Sequence, residues 1–265
     1  MPSSFARWAG FGIRLVNAVA AFAILVLGGL VQLEVFKPSK SWAVVLVCAV
    51  SLITLVDSTR SAYRIAKAAQ REHADSRVAS TVMGLSNSIG HSLGLDFGVV
   101  GGSVFVAQRR WTLNRSIFFL RRPVVLVRPP QWRIRYGDGP QASRVLWTTD
   151  KGAVGEAYRS GSPVYKYWSP IAKRYGVANT IDEARFDGLE DGVKSGFTYG
   201  EFTSIVGKYA EILAVPIMSV DGGRVLGVFA IDRPYRRDEQ ARKLFDHQSI
   251  ARTVESAASV VGPDL

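Results

Sequence analysis

The chain has 265 residues, of which 48% are hydrophobic and 21% charged, and its formal net charge is +11 at pH 7. Its single cysteine, Cys48, excludes an intrachain disulfide and a cysteine-based zinc site, and the composition excludes a collagen-like or disordered chain. The excess of positive charge predicts an acidic partner surface, either anionic lipid or nucleic acid.

Two uncharged runs, residues 15–33 and 41–56, dominate the N-terminal region, and a short segment containing Pro38 separates them. About 20 apolar residues are needed for a helix to cross the hydrocarbon core of a bilayer, so the first run is long enough and the second is marginal. We predict a two-helix transmembrane hairpin over residues 1–56. The alternatives are a cleaved signal peptide, which lacks a cleavage site here, and a buried pair of soluble helices.

Basic residues flank this hairpin on both sides. Arg7 and Arg14 precede it, and four basic residues follow it between positions 60 and 71. Because cytoplasmic loops carry an excess of lysine and arginine, we expect both termini in the cytoplasm and a multi-pass protein of the inner (cytoplasmic) membrane.

Residues 57–93 contain no proline and predict one long helix. Its C-terminal part carries an apolar stripe at helical spacing, formed by Val78, Val82, Leu85, Ile89 and Leu93. Residues 57–77 are too polar for a core, so we expect them to connect the hairpin to a folded domain at 78–265. The stripe fits either the first helix of that domain or a helix that pairs with a second chain.

Residues 97–136 predict several short strands, at 97–108, 116–122, 124–128 and 132–136, and residues 108–136 include no acid. We predict a basic patch at the membrane surface, formed by Arg109, Arg110, Arg115, Arg121, Arg122 and Arg128. A solvated sheet face and a nucleic-acid surface remain as alternatives, although no nucleic-acid-binding motif supports the latter.

Residues 165–203 predict a long irregular lid that is rich in aromatic and acidic side chains. Because small-molecule pockets combine aromatic rings with a few polar groups, we take six residues as ligand-binding candidates. They are Trp168, Tyr175, Asp182, Glu183, Phe197 and Tyr199. The alternative is that these aromatic rings fill the core.

The C-terminal part predicts a helix from about Gly152, an antiparallel hairpin within residues 210–232, and a helix at 238–261 that ends at Gly262-Pro263. Asp221-Gly222 tolerates the positive φ of a tight turn. Gly227 predicts a close contact or a bend in the return strand, and Pro216 predicts an edge, a bulge or a strand start.

The hairpin sequence VPIMSVDGGRVLGVFAIDRP resembles the closing hairpin of GAF domains, which commonly read V-P-I, a turn, I/L-G-V and an aliphatic-Asp end. Upstream, residues 147–157 and 160–164 resemble the middle motif of that family, in the same order along the chain. The resemblance covers residues 74–262. It implies an α+β domain with a central antiparallel sheet flanked by helices, which binds a small molecule or dimerises.

The chain offers no Ser/His/Asp or Cys/His arrangement and no phosphate-binding glycine motif. The lone cysteine, in the second apolar run, argues against the cysteine-dependent methionine sulfoxide reductase activity of some GAF proteins. We therefore expect a membrane-anchored, non-catalytic sensory protein that binds a small molecule, acts as a homodimer and signals to a separate output protein. The sequence has no metal or nucleotide motif and leaves the cofactor open, with haem held by His91 or His247 as an alternative. The alternative is a membrane effector whose hairpins assemble and perturb the bilayer when the GAF-like domain is triggered.

Overall fold

A computed structural model describes residues 40–96, 98–109, 112–113, 120–121, 123–134, 145–176, 181–237 and 242–265. The chain divides into two compact units, Met1–Glu72 and His73–Leu265. In the first unit, the described residues form the N-terminal part of helix α1, Lys40–Ser92.

No helix in the described part of the chain has the length and apolar character needed to cross a membrane. The prediction of a multi-pass inner-membrane protein with both termini in the cytoplasm is therefore wrong. The run at 15–33 lies outside the described residues, whereas the run at 41–56 begins α1, which continues without a break into the charged residues beyond position 56. The membrane-effector alternative depended on the same hairpin and has no support in the described ranges.

The second unit is built on a six-stranded antiparallel sheet in the order β4-β1-β8-β7-β6, with β5 also paired to β1. A separate ladder joins β2 to β3. The strands are β1 Gly101–Arg109, β2 Thr112–Leu113, β3 Leu120–Arg121, β4 Val124–Val127, β5 Arg133–Ile134, β6 Val164–Tyr167, β7 Tyr209–Met218 and β8 Val225–Pro234. The helices that follow α1 are α2 Gly152–Ser160, α3 Ser169–Tyr175, α4 Glu183–Asp187, α5 Asp191–Lys194, α6 Tyr199–Ile205 and α7 Gln248–Val261.

The hairpin of β7 and β8 confirms the turn expected from Asp221-Gly222. Gly222 has a φ of 68°, and the Asp221 carboxylate accepts the N–H of Gly223 at 3.3 Å. A Cβ on Gly227 would lie 2.1 Å from the backbone oxygen of Phe105 in β1, so the predicted close contact is present. Pro216 lies beyond Ala214, where the pairing with β6 ends, and so needs no donor on that side.

Side chains alternate between the two faces of the sheet because successive strand residues point in opposite directions. One face, which we call the α7 face, packs against residues 78–89 of α1 and against α7 and carries Val104, Leu213, Val215, Phe229 and Ile231. The other, the aromatic face, is covered by α2 and the segment α3–α6 and carries Phe105, Leu126, Ala214, Val228 and Ala230. The apolar stripe of α1 thus belongs to the domain core, with Val78, Val82, Leu85 and Ile89 buried.

Two sequence predictions need correction. The described residues 165–176 and 181–203 are not an irregular lid, because they contain β6 and the four short helices α3–α6, two of which begin with side-chain caps at Asp182 and Thr198. The rest of that predicted lid, residues 177–180, lies outside the described residues. The last helix begins at Gln248 rather than at position 238. Residues 242–247 are not helical, because the N–H of Phe245 is donated at 2.9 Å to the buried carboxylate of Glu211 instead of to a helical carbonyl.

Candidate functional site

The aromatic face is covered by a layer of rings that meet edge to face. Trp168, Phe197 and Phe202 are all buried. The ring of Phe197 lies 5.8 Å from that of Trp147 and 6.2 Å from that of Trp168, between centroids. Such offset and edge contacts stabilise a core beyond the area that they bury. We call the rings of Phe105, Trp147, Trp168, Phe186, Phe197 and Phe202 the aromatic layer.

Two glycines let the loops that carry these rings approach each other. Gly152, at a φ of 59°, and Gly196, at 75°, adopt conformations that other residues avoid. The N–H of Gly152 is donated to the Ser195 carbonyl at 2.8 Å. A Cβ on Gly196 would lie 2.2 Å from the carbonyl oxygen of Asp150. The turn after Trp147 and the turn before Phe197 are thereby joined by their backbones.

Arg128 and Arg133 lie on the aromatic face, and their charges act on that of Lys208. We call these three cations the cationic cluster. The guanidinium of Arg128 lies 5.5 Å from the ring centroid of Phe105. Arg133 is opposite Ser103 in the pairing of β1 with β5. Lys208 directly precedes β7, whose first residue, Tyr209, is buried in the core of this face.

The electrostatics of the cationic cluster show that its members act on one another. Burial, followed by the charge of Arg133, lowers the pKa of Arg128, while a hydrogen bond with Tyr209 acts in the opposite direction. Burial, followed by the charges of Arg133 and Arg128, lowers the pKa of Lys208. Positive charge is therefore concentrated at this end of the aromatic face, where it is removed in part from water.

Two further polar groups lie on this face. Ser103 is 2% exposed, and its hydroxyl has no hydrogen-bond partner among the described residues. Asp232 is opposite Gly101 in the pairing of β1 with β8, and the alternation of β8 places it on the aromatic face. A buried hydroxyl without a partner carries a desolvation cost, which a bound polar group would offset.

The α7 face has its own polar centre, which is an anchor within the core. Glu211 and Arg233 are 0% and 1% exposed and form an ion pair of 2.6 Å. The second carboxylate oxygen of Glu211 accepts the hydroxyl of Tyr165 and the N–H of Phe245, each at 2.9 Å. Burial, followed by the hydrogen bond to Glu211, raises the pKa of Tyr165. This network ties the segment before α7 to β7 and β8.

The structure brings some of the six predicted ligand-binding residues together. Trp168 and Phe197 touch within the aromatic layer, and Tyr175 reaches the same layer through Phe202, 6.4 Å away. The hydroxyl of Tyr199 is donated to the carbonyl of Ile181 at 3.0 Å. A ligand-binding role for these residues remains a prediction.

The two predicted acidic contacts lie apart from the aromatic layer. Asp182 accepts the N–H of Arg185 at 2.8 Å and caps α4, and Glu183 is exposed. Helix capping therefore accounts for Asp182 by itself.

The predicted basic patch is only partly described. Arg109 is exposed at the end of β1, and Arg128 is half-buried beside Phe105. Arg121 lies in the short strand β3, and Arg110, Arg115 and Arg122 lie outside the described residues. The sequence reasoning missed Arg133, Lys208 and Ser103. Of these three, only Arg133 had a signal in the sequence, because it alternates with the apolar residues Trp132 and Ile134 in a predicted strand.

Two cavities lie away from the aromatic layer. One of about 520 Å³ lies between the β7–β8 hairpin and α7, where Val215, Met218 and Glu255 are among its lining residues. Another of about 440 Å³ is lined by Arg109, Tyr158 and Arg224, together with apolar residues. Of the described members of the predicted basic patch, Arg109 alone lines either of these two cavities.

No protein-family model matches the chain, and no curated protein matches it by sequence. Solved structures that it is similar to include a putative GAF sensor protein from Burkholderia vietnamiensis, at 18% identity over 74% of this chain and 89% of that one, with a TM-score of 0.36. A structure described as the GAF domain is 17% identical, covers 73% and 88%, and has a TM-score of 0.36. A type II free methionine-R-sulfoxide reductase from Thermoplasma acidophilum is 10% identical, covers 72% and 94%, and has a TM-score of 0.39. Likenesses this remote assign neither a family nor a functional residue to this chain.

The expectation of a non-catalytic protein needs correction. Several of the similar solved structures are free methionine-R-sulfoxide reductases, at 10–14% identity. Enzymes are therefore found among the solved structures to which the chain is similar, and the lack of a familiar nucleophile arrangement in the sequence was no ground for excluding catalysis.

Proposed function

We propose that residues 73–265 form a GAF-like sensory domain that binds a small molecule on the aromatic face, beneath the segment α3–α6. The observation that carries this proposal is the meeting of the aromatic layer with the cationic cluster and the buried hydroxyl of Ser103. Ligand sites combine apolar and aromatic walls with a small number of placed polar groups, and this face supplies both.

The short helices over this face are the elements that would admit a ligand. Helix α5 buries none of its residues, and α4 buries only Phe186. Segments with few buried apolar contacts open at a low free-energy cost. A ligand would enter by displacing α4 and α5 and would hold them in place once bound.

Strands β7 and β8 connect the ligand-binding face to the α7 face, because their side chains contact both. Ala214 faces the aromatic layer, whereas its neighbours Leu213 and Val215 face residues 78–89 of α1 and α7. We propose that a second copy of the chain responds to the resulting shift. Met83 and Val260, on these two helices, are exposed apolar residues that such a copy would cover. The ligand biases this equilibrium only by its difference in affinity for the two states.

Native mass spectrometry of the full-length chain, purified from cells without denaturation, tests the proposal. We expect a mass above that of the polypeptide that disappears on denaturation, together with a dimeric charge-state series. Phe197→Leu keeps an apolar side chain but removes a ring of the aromatic layer, so it should weaken retention. Val220→Leu, at an exposed position in the hairpin turn, is the matched control and should leave retention unchanged. A bare polypeptide mass in every preparation would contradict ligand binding.

A further inference from the structure

We infer that the molecule bound on the aromatic face carries an oxyanion, a carboxylate or a phosphate, which Arg128, Arg133 and Lys208 hold at the edge of the aromatic layer. This inference rests on the proposed function, since it names the chemistry of the same ligand. It commits to a negatively charged group and not to the rest of the molecule.

The backbone fixes the position of the cluster. Arg133 pairs with Ser103 across β1 and β5, and Ile134, its neighbour in β5, packs on the α7 face. By alternation, Arg133 points to the aromatic face. The Arg128 guanidinium on the ring of Phe105 shows that it lies on the same side of the sheet. Two arginines from neighbouring elements therefore flank the stretch of β1 between Ser103 and Phe105.

The cationic cluster brings like charges together. Its three members are cations, and the acid Asp232 lies on the same face. The charges that act on Lys208 are those of Arg133 and Arg128. Concentrating like charges where water is scarce costs free energy, and an oxyanion between them would offset that cost.

The hydroxyl of Ser103 supplies a separate indication. It is buried directly beside Arg133 in the register and has no partner among the described residues. A serine hydroxyl donates one hydrogen bond and accepts others. An oxyanion held by the two guanidinium groups would accept the hydrogen bond from this hydroxyl, because carboxylate and phosphate oxygens accept several donors at once.

The aromatic rings next to the cationic cluster favour a ligand that has an apolar part. Phe105, on which Arg128 lies, touches Trp147 at 5.4 Å between centroids, and Trp147 touches Phe197 at 5.8 Å. The cationic cluster is therefore continuous with the aromatic layer. A ligand with its charged group at the cluster would place its apolar part among the rings.

The test measures the melting temperature of the full-length chain with added sodium phosphate, sodium benzoate or sodium chloride at equal ionic strength. Either oxyanion should raise the melting temperature more than chloride does, since a ligand that binds only the folded state stabilises it. A larger rise with phosphate indicates a phosphate ligand, and a larger rise with benzoate indicates a carboxylate ligand. Equal effects of all three salts in the wild-type chain would overturn the inference, and this comparison needs no variant.

Variants locate the binding. In Arg133→Gln and in Lys208→Gln, the apparent dissociation constant for the responding anion should weaken at least tenfold, because a charge-assisted hydrogen bond is lost. Arg109→Gln removes the same charge from an exposed position at the end of β1 and should leave the constant within twofold of the wild-type value. An equal loss in all three variants would indicate general surface electrostatics and overturn the inference.

The two proposals fail separately. A neutral molecule found in the native mass spectrum would leave the sensory function standing and overturn the oxyanion. A bare polypeptide, together with anion binding that depends on Arg133 and Lys208, would support the anion site and count against a resident small-molecule ligand.

Discussion

Replacing Glu211 by glutamine tests the anchor on the α7 face. One carboxylate oxygen of Glu211 accepts the Nε and Nη2 of Arg233 at 3.1 and 2.6 Å. The other accepts the hydroxyl of Tyr165 and the N–H of Phe245. Glutamine has nearly the same shape but offers one acceptor and one donor. Whichever way its amide is turned, one of these two sets of donors meets an NH₂ group.

The expected cost follows from burial. Glu211→Gln leaves the guanidinium of Arg233, which is 1% exposed, without its counter-charge. Breaking a buried ion pair by removing one partner costs about 3–5 kcal/mol. Glu156→Gln is the matched control, because Glu156 pairs with Lys166 at 2.7 Å while the two side chains are 41% and 30% exposed. Exposed pairs of this kind contribute about 0–1 kcal/mol.

Urea unfolding of the full-length chain at pH 7, followed by tryptophan fluorescence, measures both free energies of unfolding. The midpoint should fall much further for Glu211→Gln than for Glu156→Gln, without a change in slope between the two. Equal, small losses in the two variants would refute the reasoning that burial of the Glu211–Arg233 pair decides its contribution.

Three further predictions concern stability. Burial and the hydrogen bond to Glu211 raise the folded-state pKa of Tyr165. The contribution of Tyr165 to the free energy of unfolding should therefore be complete below its unfolded-state pKa of about 10 and decline above it. In Tyr165→Phe, the free energy of unfolding should fall less steeply above pH 10 than in the wild-type chain. Gly227→Ala places a Cβ 2.1 Å from a backbone oxygen of β1 and should cost about 1–3 kcal/mol or more in urea unfolding, whereas Gly84→Ala, with nothing within 4 Å, should stabilise the chain by up to about 1 kcal/mol. Phe202→Ala removes a fully buried ring and should lower the free energy of unfolding by about 3–5 kcal/mol; a loss below about 1 kcal/mol would show that the aromatic layer is not close-packed.

The elements with strong local signals could be predicted from the sequence. The β7–β8 hairpin follows from alternation around Asp221-Gly222, and α2 follows from the motif that begins near Gly152. The contact of Gly227 with Phe105 was predicted as a close approach, although its partner on β1 was not. These features depend on neighbours in the chain or on a missing Cβ, which one sequence displays directly.

The features that escaped depend on contacts between distant segments. The last helix ends where the sequence predicted. Its predicted start was wrong, because the N–H of Phe245 donates to the carboxylate of Glu211, 34 residues earlier, instead of to a helical carbonyl. In the sequence, Glu211 is a single acid within an apolar run, and the residues around it do not indicate that it pairs with Arg233. Arg133 lies opposite Ser103 only because β5 pairs with β1. The apolar run at 41–56 resembled a membrane span because its composition was read without the polar helix that continues it.

The most direct test of ligand binding on the aromatic face is hydrogen–deuterium exchange of the full-length chain, compared between protein as purified and protein stripped of small molecules by unfolding and refolding. The account predicts that stripping speeds amide exchange in peptides covering α4 and α5, with smaller changes in α7. Identical exchange in both preparations, or a change confined to the hairpin turn at 219–224, would contradict a ligand held beneath the segment α3–α6.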